Sequence, residues 1–270
     1  MTICVSVKVA EGLVLAADSA VMLSGTRTTT TGTVNFTQMY EHANKVTQIK
    51  DYPVGVMNWG LGSISNRSIQ SLIMEFEYGF QDHANNLQYT VKGIADAFLQ
   101  FIKTRYDAAY PPGSSPPPMG LLVGGFSSGA FFADQYTYEF PKSNDWDSLF
   151  PDSALFGPSW YGLTEALVRL IKGFDLAGMN ELVNRGADAA IVQQWINDGV
   201  SEVPVVYGDM PIQDAIDFAR YAVEVTIGLY RFAPTLPLCG GSVDIAVITP
   251  GAFRWAQQKQ WSVKSQEVGI

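Results

Sequence analysis

Cysteine and histidine are nearly absent from this chain: two of each in 270 residues, Cys4 and Cys239, His42 and His83. Two cysteines make no disulfide framework and read as small buried thiols. No set of His, Cys, Asp and Glu has metal-site spacing, so no metal and no cofactor is expected. Basic residues are outnumbered too, with 17 Lys and Arg against 26 Asp and Glu, for a formal charge of -9. That balance argues against nucleic acid or an anionic membrane as partner, since both need clustered positive charge. No apolar run approaches the length of a membrane span. The first apolar run ends in Ala16-Ala17, faintly like a signal peptide. It lacks a basic leading segment, carries Glu11, and has only five apolar residues between Gly12 and Asp18. It therefore reads as structure, and a cytoplasmic location is expected.

What is present is a globular composition, 47% hydrophobic and 16% charged, on a chain long enough to bury a sizeable core. The N-terminal stretch organises it. Ile3 to Val9 and Leu13 to Asp18 are apolar runs joined at Glu11-Gly12, which is a hairpin pattern. An antiparallel return brings Asp18 back beside Thr2. If Met1 is removed, Thr2 carries a hydroxyl and a free α-amine, and the amine can serve as general base for its own hydroxyl.

Further along, Ser24 to Thr33 holds six threonines and two glycines and reads as a long loop or exposed hairpin, with a substrate-facing flap as the functional alternative. Strands are expected near 44–49 and 53–59. Helices are expected at Ser63–Phe80 and Asn86–Tyr106, from apolar residues at helical spacing behind polar caps. Pro111 to Pro118 is a stiff connector to strands near 119–126 and 130–138. Gly125-Phe126-Ser127-Ser128-Gly129 matches the nucleophile-elbow string, but an aromatic strand follows where the elbow needs a helix, so it reads as a hairpin turn. Helices near 163–173, Ala187–Ile196 and Ile212–Tyr230 precede a final strand, Ser242–Thr249, and a polar surface tail, 251–270.

Thr2, Gly12, Val14 to Asp18, and Lys45 within Asn44-Lys45-Val46-Thr47-Gln48-Ile49 resemble the start of a proteasome β-subunit and its bacterial relatives HslV and Anbu. Met119 to Phe126 resembles that family's central strand. Ala215 to Arg220 resembles its last core helix, and Cys239-Gly240-Gly241-Ser242-Val243-Asp244 its small-Gly-Gly turn and final strand. The resemblance runs from about residue 2 to 250 with the motifs in order. It implies an α+β fold, the four-layer αββα sandwich of N-terminal-nucleophile hydrolases, as one domain over 1–270. Residues 174–210 look like an insertion.

The resemblance also implies a site. Thr2 Oγ is the nucleophile, Lys45 lowers the proton affinity of the Thr2 amine, and Asp18 pairs with Lys45. The oxyanion donor falls at Trp59 by an ungapped count and at Gly60 with one insertion. Gly60 is preferred because close backbone approach favours glycine. Met57 falls in the substrate-binding region. Three positions that hold the terminal amine in the family depart here. Ser159 follows Pro158 and serves only if the turn shifts by one. Leu236 replaces an aspartate, and Cys239 replaces a serine. The leading expectation is a threonine peptidase or amidase inside a homo-oligomeric ring or stack, cutting polypeptide, with any unfoldase partner unknown. The alternatives are a non-catalytic subunit of the same fold, or an amidase for small amides.

Overall fold

Strand β1 (Ile3–Val9) and strand β2 (Gly12–Ala17) are buried along their whole length. Both faces are covered, and apart from the buried Ser6 and Lys8 of β1 the two strands are apolar throughout. Ile3, Val5, Val7 and Val9 face one layer, and Cys4 faces another. The computed structural model describes residues 2–30, 32–80, 88–111, 113–151, 155–234 and 238–260. His83, Leu236, the expected helix start at Asn86 and positions 261–270 of the tail lie outside the described residues.

The chain continues through β3 (Val21–Thr29), β4 (Gly32–Tyr40), β5 (Val46–Gln48) and β6 (Val54–Gly60). The short pair β7 (Ser63–Ile64) and β8 (Arg67–Ser68) leads into helices α1 (Ile69–Gly79) and α2 (Val91–Ala109). Next come β9 (Met119–Gly125), β10 (Asp134–Phe140), β11 (Asp147–Leu149) and β12 (Gly157–Gly162). Then follow α3 (Glu165–Leu167), which runs on into a π-turn at Val168–Lys172, and α4 (Leu176–Asn184), α5 (Ala189–Asn197) and α6 (Ile212–Phe232). The last elements are β13 (Asp244–Thr249) and β14 (Ala252–Gln257).

Two five-stranded antiparallel sheets form, in the orders β12-β1-β2-β13-β14 and β11-β10-β9-β6-β5. Three apolar layers glue them. Leu13, Leu15, Met57, Trp59, Leu122 and Ile248 fill the space between the sheets. Helices α1 and α2 cover the outer face of the second sheet, through Phe76, Phe98, Ile102, Val56 and Val123. Helix α6 and the α3 turn cover the first, through Ala215, Ala219, Val223, Leu167 and Val5. This is the expected αββα sandwich. Each buried aliphatic side chain contributes about 1.5–3 kcal/mol of transfer free energy, so the layers hold without disulfides; Cys4 and Cys239 are free.

Several boundaries differ from the sequence expectation. Helix α1 starts at Ile69, not Ser63, because Ser65 and Asn66 take left-handed backbone (φ 48° and 65°) and turn β7 onto β8. The helix then begins at its true cap, Ser68, whose Oγ accepts from Ser71 N–H at 3.1 Å. Thr90 caps α2 in the same way, accepting from Gly93 N–H at 3.0 Å. The tail is corrected over 252–257. Phe253 and Trp255 alternate with the exposed Arg254 and Ala256, and the segment pairs with β13 as an edge strand. It is pinned by a buried ion pair between Lys259 and Asp244. The Thr-rich stretch is an exposed hairpin, β3 on β4, with nine paired positions.

Candidate active site

Asp18 follows β2 directly, and its carboxylate is fully buried. Isolated there it would be costly, yet four donors surround it. Lys45 Nζ donates to Oδ1 at 2.7 Å, and the Ile3 N–H donates to the same oxygen at 3.0 Å. The N–H groups of Ala20 (3.2 Å) and Gly240 (3.0 Å) donate to Oδ2. Lys45 itself is 4% exposed. One carboxylate oxygen thus joins the Lys45 ammonium to the Thr2–Ile3 peptide. Sequence reasoning paired Asp18 with Lys45 but missed the two loop amides, which come from register and turn geometry.

Thr2 is held by its backbone. Its carbonyl accepts from Leu163 N–H at 2.8 Å, just past the end of β12. Gly162 sits at φ +86°, and a Cβ there would stand 2.0 Å from the Thr2 carbonyl oxygen. The close approach of β12 to Thr2 therefore needs glycine. The Cys239–Ser242 turn is strapped on from the other side. Ser19 N–H donates to the Gly240 carbonyl at 3.0 Å, and Ser19 Oγ donates to the Ser242 carbonyl at 2.6 Å.

The other expected residues divide. Gly60 closes β6 with φ +78° and lines, with Thr2 and Trp59, a cleft of about 430 Å³. Met57 does not join it: its side chain is fully buried between the sheets. Ser159 does not reach Thr2 either. It pairs with Ser6 in the β1–β12 register, four residues along β1 from Thr2, roughly 13 Å at 3.3 Å per strand residue. Ser127 of the elbow-like string is tied up structurally, accepting from Val91 N–H at 3.0 Å and donating to Asp134 at 3.2 Å. It lies in a strand–turn–strand segment, as expected.

The electrostatics are those of a dry site. Burial pushes the Cys239 thiol up to about 12, with Asp18 adding to the rise and Lys45 opposing it. Burial also holds the Cys4 thiol and the Tyr161 phenol well above their ordinary ranges. Both thiols therefore stay protonated near neutrality, and neither is a thiolate nucleophile.

No protein-family model and no curated protein matches the sequence. Solved structures do match. The helical assembly of the Anbu complex from Pseudomonas aeruginosa has a TM-score of 0.53 and 14% identity, covering 96% of this chain and 88% of that one. The Anbu (Gly-1) mutant from Hyphomicrobium sp. strain MC1 has a TM-score of 0.53 and 12% identity, covering 98% and 89%. The chain has the Anbu fold. At this identity the likeness fixes architecture and not chemistry. Within the Anbu fold described here, the buried Asp18–Lys45 pair beside Thr2 is the strongest chemical feature. Among the described residues no helix is long and apolar enough to cross a membrane.

Proposed function

We propose that this chain is a proteasome-like threonine hydrolase that cleaves polypeptide amides, with Thr2 as nucleophile once Met1 is removed. The observation that carries the reading is the Asp18 Oδ1 atom shared by Lys45 Nζ and the Thr2–Ile3 peptide N–H. A buried ammonium next to a terminal amine disfavours protonation of that amine. The neutral amine then accepts the Thr2 Oγ proton, directly or through a water, as Oγ attacks the carbonyl. The proton passes to the departing amine. Water attacks the resulting ester, releasing the acid and regenerating Thr2. Gly60, exposed at the rim of the cleft with Thr2, is the expected oxyanion donor.

The Anbu complex from Pseudomonas aeruginosa forms a helical assembly, and this chain is proposed to form a homo-oligomer of ring or stack type. Enclosure would keep an unspecific nucleophile from folded proteins. A second reading, a non-catalytic subunit of the same fold, is favoured by one observation: Ser159 lies opposite Ser6 and not at Thr2. An acyl-trapping inhibitor decides between them. The hydrolase forms a covalent adduct that mass spectrometry maps to an N-terminal Thr2. Retention of Met1 on every chain of a preparation with full peptidase activity, or no adduct at saturating inhibitor, overturns the hydrolase.

A further inference from the structure

We propose that Ser19 is a positioning residue: its buried hydroxyl clamps the Gly240 N–H against the Asp18 carboxylate. The clamp rests on its own hydrogen bonds; its effect on rate rests on the hydrolase reading. The donors to Asp18 are not held alike. The Ala20 N–H comes from two residues along the chain, in an Asx turn that closes locally. The Ile3 N–H belongs to β1 and is set by its ladder. Lys45 reaches Oδ1 with its side chain. The Gly240 N–H reaches Oδ2 at 3.0 Å from a turn ahead of β13, beyond the last paired position, Asp244 with Ala17. No ladder of β13 holds it there.

Ser19 supplies what the ladder does not. It is fully buried and bonds the turn twice, through its N–H to the Gly240 carbonyl and through Oγ to the Ser242 carbonyl at 2.6 Å. Two bonds to carbonyls two residues apart fix both the place and the tilt of the turn. With the backbone bond alone, the turn pivots about it and carries the Gly240 N–H off Oδ2. On its other side the Ser19 carbonyl accepts from Ala43 N–H at 2.9 Å, two residues before Lys45. Ser19 thus joins the segment that brings in Lys45 to the turn that brings in Gly240. The turn is seated closely as well. Gly241 sits at φ +73°, where a Cβ would stand 2.7 Å from the Glu41 carbonyl oxygen and 3.3 Å from Ser19 Cβ, so the seat needs glycine. A fixed Gly240 N–H aims the carboxylate, and the carboxylate aims Lys45. The rate of attack by Thr2 therefore depends on a hydroxyl that touches neither substrate nor nucleophile.

The test makes two measurements on the parent chain, Ser19→Ala and Ser19→Cys. Amide hydrogen exchange reads the turn, and an acyl-trapping inhibitor reads the rate and final extent of Thr2 acylation. In Ser19→Ala the Gly240 amide is expected to exchange roughly five- to tenfold faster than in the parent, with the β1–β2 amides unchanged. The limiting rate of acylation falls roughly ten- to hundredfold. The inhibitor concentration for half that rate stays the same, and final occupancy of Thr2 is complete. Complete occupancy separates a misplaced site from a partly unfolded sample. Cysteine is close to serine in shape and a poorer donor, so Ser19→Cys falls between the two. Gly241→Ala forces the turn away from Glu41 with the hydroxyl intact. It acts in the same direction and serves if Ser19→Ala does not fold. Parent-like exchange at Gly240 in the altered chain, a Ser19→Cys chain as fast as the parent, or a rate lost only in proportion to occupancy overturns the clamp. A parent chain that never acylates sinks the hydrolase reading alone, and exchange at Gly240 then decides the clamp.

Discussion

Two antiparallel hairpins follow one another at the start of this chain, and they have opposite fates. β1–β2 is buried at every strand position. β3–β4 is longer, nine paired residues, yet no residue of either strand is fully buried. β1 and β2 also pair outward, with β12 and β13, whereas β3 and β4 form a two-stranded sheet of their own. Side chains follow the same division. β1–β2 carries apolar residues toward both neighbouring layers, and the carboxylate at its end is paid for by four donors. β3–β4 carries a threonine-rich polar face and a sparse apolar one, Leu23, Val34, Phe36 and Tyr40, all exposed. An isolated two-stranded ribbon is marginal in water. The first hairpin is therefore the scaffold for the candidate chemistry, and the second is an appendage from its edge.

The largest break in that comparison comes from the buried pair. Lys45→Ala leaves Asp18 charged and buried with only amide partners. The expected loss is about 3–5 kcal/mol of stability, read by urea unfolding, together with loss of peptidase activity. Combining it with Asp18→Asn should restore part of the stability and none of the activity. Full stability in the single variant would mean that the pair is solvated in solution.

Next in size is the inter-sheet layer. Leu15 is fully exposed to that layer and to no solvent. Leu15→Ala should cost about 2–5 kcal/mol by transfer and cavity terms, measured as a lower urea midpoint with unchanged slope. A cost below about 1 kcal/mol would show that the two sheets are not packed as closely as Leu15, Gly55 and Ile248 imply.

How much of this was legible beforehand follows from the same contrast. β1, β2 and α6 were readable because long apolar runs or helical spacing leave little choice. The Asp18–Lys45 pair was readable through resemblance of short motifs. Ser159 was not, because its partner depends on β1–β12 register, and no local pattern encodes which residue faces Ser6. β14 falls in the stretch expected as tail, although Phe253 and Trp255 alternate with the exposed Arg254 and Ala256, a signal available in the sequence. α1 starts later than helical spacing predicts because Ser65-Asn66 forms a tight turn that breaks the helix ahead of Ser68.

A smaller effect separates the site from the ribbon by pH. The Cys239 thiol titrates near 9.0 when unfolded and is pushed up to about 12 in the fold, first by burial and then by Asp18. The unfolded chain therefore loses its proton first. The stabilising contribution is complete below pH 9 and falls as pH rises from there toward the folded value. Cys239→Ala should flatten the decline of unfolding free energy between pH 9 and 11 relative to the parent chain. Identical slopes in the two chains would refute the buried environment assigned to this turn.

The smallest expected effect is in the ribbon itself. The Phe36 ring lies over Gly25, where an added Cβ would meet it at 2.9 Å, yet the side chain is 47% exposed. Phe36→Ser removes that local contact and little else. Within one chain, the unfolding free energy should change by no more than about 0.5 kcal/mol, as for surface positions in general. Amide exchange should agree, with β3–β4 protons exchanging far faster than those of β1–β2. A loss above about 1.5 kcal/mol that grows with protein concentration would mean something different: the apolar side of the ribbon, Leu23, Val34 and Phe36, is covered in solution by another copy. The concentration dependence matters, because a bimolecular contact stabilises by mass action and an intramolecular one does not. A concentration-independent loss of that size would instead place the ribbon against its own chain and erase the contrast between the two hairpins.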